Sequence, residues 1–285
     1  MGAPFADRLA ALVSERRSQV CLGLDPDPTG TAERLPAGKP PAGAAAEAIG
    51  DRCLELIEAA GPACVAVKPQ LACFERLGSK GWTALERVVG AAADAGLLVV
   101  ADGKRGDVPH TAAVYAEALF ERLGADAATV NPLLGADALE PLIEGAAAAG
   151  AGVFTLVRTS NPGAADLLDL ETADGPVHEH LARLVAANAS RLAGSSGLSG
   201  MGAVVGATEP RHFGRMRELM PESVFLVPGV GAQGGDATEL GPAFGAHPAS
   251  VLVPASRSIA GAEDPGAAAE DLRAQLWAVS QSLAR

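Results

Sequence analysis

Residues 98–111 read LVVADGKRGDVPHT, an apolar run that opens into Asp102, Lys104 and Asp107, with Thr111 just beyond. On an extended backbone Asp102 and Lys104 point to one face, and Gly103 between them lets another group approach closely. Burying charge without a partner costs several kcal/mol. Groups of this kind at the mouth of a buried strand therefore have to compensate one another and a charged ligand. By itself the motif also reads as a solvated strand-to-loop turn with a surface ion pair, so its meaning depends on what surrounds it.

Working outward, similar apolar runs stand at 20–24 (VCLGL), 64–67 (CVAV), 97–101 (LLVVA), 127–130 (AATV), 152–157 (GVFTLV), 202–206 (GAVVG), 224–227 (VFLV) and 250–255 (SVLVPA). Runs this short fit strands buried on both faces, as a parallel sheet requires, although periodicity alone does not separate them from buried helix. Helical patterns lie between them, such as GWTALERVVGAAADAG (81–96) and HEHLARLVAANASRLAG (178–194), each ending at a glycine suited to a C-cap. Eight strand-then-helix repeats predict an α/β fold, a (β/α)₈ TIM barrel of the phosphate-binding type, with a doubly wound open sheet as the alternative. A helix at about 5–17 precedes the first strand and would cover the barrel's bottom. The stretches LPAGKPPAGAA (35–45) and GSSGLSGMG (194–202) read as a loop and a flexible connection.

The chain has 285 residues, 48% of them hydrophobic, which is enough for one large core, and a single barrel over 1–285 uses that length. No run approaches the ~20 apolar residues of a membrane span, and the N-terminal segment carries acidic residues where a signal peptide has a basic region and an apolar core, so a cytoplasmic protein is expected. A net charge of −12 argues against a nucleic-acid surface but leaves room for a small anion held by local cations. Cys21, Cys53, Cys64 and Cys73 lack C-x-x-C spacing and read as reduced, mostly buried thiols. His178 and His180, two apart on a helix, face different ways and read as solvated surface residues rather than a metal pair.

In parallel barrels chemistry collects at the carboxyl ends of the strands. Here those ends carry Asp25, then Lys68, then Asp102, Lys104 and Asp107. Beyond these come Asn131; Thr159, Ser160 and Asn161; Thr208 and Glu209; PGVGAQGGD (228–236) with Gln233; and SRSI (256–259) with Arg257. Two lysines and three aspartates on one rim are hard to explain as core or as random surface. A glycine-rich loop after strand seven and an arginine after strand eight stand where barrels bind phosphate, with main-chain N–H groups and a guanidinium as donors.

This ordered set, from CLGLDPD (21–27) through VKPQLACFE (67–75), DGKRGDVPHT (102–111), VNPLLGADALEPL (130–142) and LVRTSNPGAADLLDL (156–170) to PGVGAQGGD and SRSI, resembles the orotidine 5′-monophosphate decarboxylases, in particular their longer bacterial (type 2) branch. The resemblance implies conversion of orotidine 5′-monophosphate to uridine 5′-monophosphate, the last step of de novo pyrimidine nucleotide synthesis, without cofactor or metal. It assigns Asp25 to the ribose hydroxyls, with Lys68 beside it, and places Asp102 and Lys104 at the reacting carbon. Lys104 would be the ammonium that stabilises and protonates C6. Asp107 and Thr111 would come from the neighbouring subunit of a homodimer. Ser160, or its neighbour Thr159, would meet the pyrimidine edge, while Gln233 and Arg257 would bind the phosphate. Related magnesium-dependent sugar-phosphate decarboxylases and synthases share D-x-K-x-x-D but carry a glutamate after strand two, where this chain has Lys68; Glu75 lies too far along to replace it. That lyase chemistry and a non-catalytic nucleotide-binding barrel remain the competing readings.

Overall fold

In the computed structural model, which describes residues 2–26 and 41–282, the short apolar runs pair side by side into a closed parallel barrel. Its strands are β1 (Val20–Leu24), β2 (Ala66–Pro69), β3 (Leu98–Arg105), β4 (Ala127–Val130), β5 (Gly152–Arg158), β6 (Ser199–Val205), β7 (Ser223–Leu226) and β8 (Val251–Ala255). Sequence order is spatial order, and β8 closes on β1 through Val20 opposite Val253 and Cys21 opposite Pro254. Closure rules out the open doubly wound sheet, because neither edge is left unpaired.

Strand parity sorts the side chains. Val20, Leu22 and Leu24 of β1 join Val67, Val99, Val130, Val153 and Val253 in the layer between barrel and helices. Cys21, Ala66, Leu98, Val100, Ala127, Phe154, Leu226 and Leu252 instead fill the barrel's lower interior. Helix α1 (Phe5–Arg16) packs against that end: its buried face is Phe5, Ala6, Leu9, Ala10 and Val13, and the Phe5 ring meets Phe154 edge-on with centroids 5.8 Å apart. The upper interior is left for polar side chains.

The connections adjust several expectations. The long helices α2 (Ala42–Ala60) and α4 (Gly78–Asp94) pack on each other outside β1–β3, and α4 closes at Gly96, whose φ of 68° is open to glycine without strain. Short α3 (Leu71–Glu75) follows β2, α5 (Pro109–Ala116) follows β3, and α6 (Ala136–Ala149) follows β4. After β5 come α7 (Ala164–Leu168), a two-stranded hairpin (Glu171–Thr172 with Gly175–Pro176) and α8 (Val177–Ala187). Helix α8 stops well short of Gly194: the Asn188 side chain bonds back to the Leu184 carbonyl at 2.9 Å, and a 3₁₀ turn follows. Residues 199–202 belong to β6 rather than to a flexible connection, and residues 42–45 of the expected 35–45 loop are already helical, its 35–40 part lying outside the described residues. Helices α9 (Phe213–Leu219), α10 (Arg257–Ala260) and α11 (Pro265–Ser282) complete the ring.

His178 is buried, not solvated. Its Nδ1 lies 2.8 Å from the Leu168 carbonyl and 3.2 Å from Asp169, and its ring stacks edge-on against His212. The insertion after β5 folds back over it, which the spacing of two histidines does not reveal. The four cysteines are in the thiol form; Cys21, Cys53 and Cys64 are buried and Cys73 is half-buried. Among the described residues no helix is long and apolar enough to cross a membrane.

Candidate active site

The inward parity that ends the core also builds the site. Ala66 and Lys68 on β2, Val100 and Asp102 on β3, and Ala127 and Thr129 on β4 alternate the same way, so the residue two beyond each interior apolar side chain points into the upper barrel. A cavity of about 450 Å³ opens there, at the carboxyl ends of the strands. It is lined by Asp25, Lys68, Asp102, Lys104, Ser160, Gln233 and Arg257, together with apolar Leu156, Val204 and Pro254. Gly23 keeps the β1–β8 seam closed beneath it: a Cβ at that position would fall 1.8 Å from Ser256 Oγ.

Asp102 is the centre of charge. Its Oδ2 accepts from Lys68 Nζ at 2.5 Å and its Oδ1 from Lys104 Nζ at 2.7 Å; the Asp102 and Lys68 side chains are 7% and 8% exposed, whereas Lys104 is 44% exposed toward the cavity. Burial opposes ionisation of Asp102, but the two ammonium groups outweigh it and hold the carboxyl far below its usual range. For Lys68 burial likewise favours the neutral form and is overcome by Asp102 and then Asp25, so it stays protonated. Within one chain Lys104 is thus held by Asp102, which itself sits between two lysines. Its ion pair is with Asp102 rather than Asp107, whose Oδ1 accepts from the Val108 amide at 2.8 Å.

The convergence of Asp102 and Lys104 does not come from simple alternation. The β3–β4 register shifts between Ala101, opposite Ala128, and Arg105, opposite Val130, and Lys104 takes a left-handed φ of 47°. A bulge re-aims the lysine. Thr129 fills the gap in the ladder, accepting from the Lys104 amide at 3.0 Å and donating to Asp102 Oδ1 at 2.8 Å.

On the opposite rim Ser160 Oγ donates to Gln233 Oε1 at 2.9 Å, tying the loop after β5 to the glycine-rich loop after β7. That loop uses the amides of Gly231, Gly234 and Gly235 on its own carbonyls, so these three are not free to meet an anion as expected. The side chains of Gln233 and Arg257 remain directed at this corner, Arg257 opening α10. Buried Arg158 stiffens the β5 end through a two-pronged pair with Asp169 at 2.8 and 3.0 Å and a bond to the Thr159 carbonyl.

Seven of the nine residues singled out from the sequence line this one cavity, and Asp107 and Thr111 do not. Asp107 lies in the segment between β3 and α5 and Thr111 on α5, near exposed Val108 and Val114 in the chain. Glu75, the residue weighed as a distant metal ligand, is occupied by an ion pair with Arg105. Gln70, Thr129 and Ser256 were missed. Gln70 follows Lys68 at strand spacing and reaches Asp102 Oδ2 at 3.4 Å, so parity would have found it once the β2 register was known.

A closed parallel barrel with paired charges at its carboxyl rim and an arginine-bearing corner after its last two strands defines an enzyme of the phosphate-binding barrel class. The family model for "Orotidine 5'-phosphate decarboxylase / HUMPS family" matches residues 18–272, and the chain belongs to that family. It is 41% identical over 271 residues to an orotidine 5′-phosphate decarboxylase of Rhodopirellula baltica, covering 90% of this chain and 87% of that one. Among solved structures it resembles the orotidine monophosphate decarboxylase of Leishmania donovani, with a TM-score of 0.80 and 36% identity over 98% of this chain and 99% of that one. It also resembles that organism's UMP synthase, with a TM-score of 0.83 and 36% identity, covering 98% of this chain and 57% of the longer protein.

Proposed function

We propose that this chain converts orotidine 5′-monophosphate to uridine 5′-monophosphate in the cytoplasm, as the last step of pyrimidine nucleotide synthesis, with no cofactor. The observation that carries the reading is the Lys68–Asp102–Lys104 array facing a cavity whose far corner holds Gln233 and Arg257.

The reaction breaks the bond between C6 and the carboxylate carbon and leaves the electron pair in an in-plane orbital at C6, which the ring π-system cannot absorb. A fixed cation is needed there. The Lys104 ammonium supplies it and then transfers a proton to C6 while carbon dioxide leaves. Leu156, Val204 and Pro254 add apolar surface to that space, against which the pyrimidine ring can lie. Asp102 fixes Lys104 and places negative charge beside the departing carboxylate. Lys68 holds Asp102 ionised and, with Asp25, meets the ribose. Ser160 or Thr159 meets the pyrimidine edge, and Gln233 and Arg257 the phosphate; their binding energy assists chemistry at the remote carbon by closing the site.

The working unit in this proposal is a homodimer in which Asp107 and Thr111 enter the partner's cavity. Supporting it are their placement outside their own cavity and the exposed apolar Val108, Val114, Leu133 and Leu134 in the segments that follow β3 and β4, residues suited to a two-fold contact. The magnesium-dependent lyase reading is disfavoured by Lys68, a cation engaged with Asp102, where that chemistry needs a carboxylate.

The test is ultraviolet detection of orotidine 5′-monophosphate loss with and without a chelator. Chelator-insensitive turnover is expected; loss of activity on chelation would return the lyase reading, and binding without turnover would leave a nucleotide-binding barrel.

A further inference from the structure

The bulge at the end of β3 takes Lys104 out of the sheet's hydrogen-bond ladder and into a left-handed conformation that residues with a Cβ seldom adopt. A main-chain amide withdrawn from its ladder needs another acceptor, and a strained backbone persists only where its surroundings over-determine it. Thr129 on β4 meets both needs. Its side chain lies on the inner wall, and the residue is 1% exposed. Its hydroxyl accepts from the Lys104 amide at 3.0 Å and donates to Asp102 Oδ1 at 2.8 Å. The direction of the second bond is fixed, because an ionised carboxylate only accepts. The same Oδ1 accepts from Lys104 Nζ at 2.7 Å, closing a ring that runs from the lysine's main chain through Thr129 and Asp102 back to the lysine's own ammonium.

We propose that Thr129 is a positioning residue for proton delivery, its hydroxyl fixing the main chain of Lys104 and the carboxylate of Asp102 at once so that the ammonium is held where C6 must be protonated. This rests on the decarboxylase reading. Thr129 does not line the cavity, so its effect falls on the chemical step and not on capture of the nucleotide. Valine has nearly the same shape and lacks the hydroxyl, while serine keeps the hydroxyl and loses a methyl group.

The experiment compares the wild-type chain with Thr129→Val and Thr129→Ser in single-turnover decarboxylation, with enzyme in saturating excess over orotidine 5′-monophosphate, alongside the dissociation constant for uridine 5′-monophosphate. A displacement of the lysine by a fraction of an ångström should slow Thr129→Val about 10- to 100-fold, with product affinity within about threefold of wild type. Thr129→Ser should stay within about threefold of wild type in both measurements. Should Thr129→Val not yield a folded barrel, Thr129→Ala set against Thr129→Ser makes the same comparison. Near-wild-type turnover without the hydroxyl, equal losses for serine and valine, or a fall in product affinity matching the fall in rate each overturn the assignment. A wild-type chain that leaves orotidine 5′-monophosphate unchanged overturns the decarboxylase reading and the proton-delivery role with it.

Discussion

Lys68 Nζ donates to Asp102 Oδ2 across 2.5 Å, joining adjacent strands inside the barrel with both side chains almost wholly buried. Removing one member of a buried pair leaves the other's charge uncompensated, typically at a cost of about 3–5 kcal/mol. In this pair Lys104 remains as a second partner of the carboxylate, so Lys68→Met is expected to cost about 2–3 kcal/mol in urea unfolding. Because Asp102 is held below its unfolded pKa, its stabilisation is present above about pH 4 and is lost as pH falls further. The variant should therefore show a shallower acid loss of stability than wild type.

Lys104→Ala should lower turnover by about 10³-fold or more, since it removes both the charge at C6 and the proton donor. Binding of uridine 5′-monophosphate, measured by calorimetry, should remain detectable. Near-normal turnover would rule out the proton-donor role.

Arg257→Ala should weaken capture of orotidine 5′-monophosphate far more than capture of orotidine, which lacks the phosphate. Comparing kcat/KM for the two substrates in wild type and variant isolates this effect. Equal losses on both would sink the phosphate assignment.

The proposed shared site can be tested by complementation. Asp107→Ala and Lys104→Ala chains are each expected to be nearly inactive alone. Unfolded and refolded together in equal amounts, they form mixed dimers with one intact site, and about one quarter of wild-type activity should return. A mixture no more active than its components would place Asp107 outside the partner's cavity.

Asp7 ties α1 to the turn before β6: its carboxylate accepts from the Ser196 amide at 2.8 Å and the Ser195 amide at 2.9 Å. These bonds, that of Ser196 first, hold its pKa near about 2. The stabilisation is complete above the unfolded carboxyl value and is lost as pH falls through about 2. Between pH 2 and 5 the Tm of Asp7→Asn should consequently vary less steeply than that of wild type.

The sequence by itself determined the repeat, the strand ends and the rim. Eight short apolar runs alternating with helical patterns fit a parallel sheet buried on both faces, and polar residues just past each run lie where such a sheet exposes its strand ends. Position just past each apolar run placed Asp25, Lys68, Asp102, Ser160, Gln233 and Arg257 on one rim, because the order of strand and loop is a local property of the chain. Only the tertiary structure decided how those groups meet. The arrangement that puts Asp102 between two lysines depends on the β2–β3 register, and the aim of Lys104 depends on a bulge and a threonine hydroxyl from β4. The burial of His178 depends on an insertion that folds back over it. These are contacts between segments distant in sequence. Their geometry comes from pairing offsets that single-strand alternation does not encode, and for that reason Thr129, an ordinary-looking strand threonine, showed its connection to Lys104 only once β3 and β4 stood side by side.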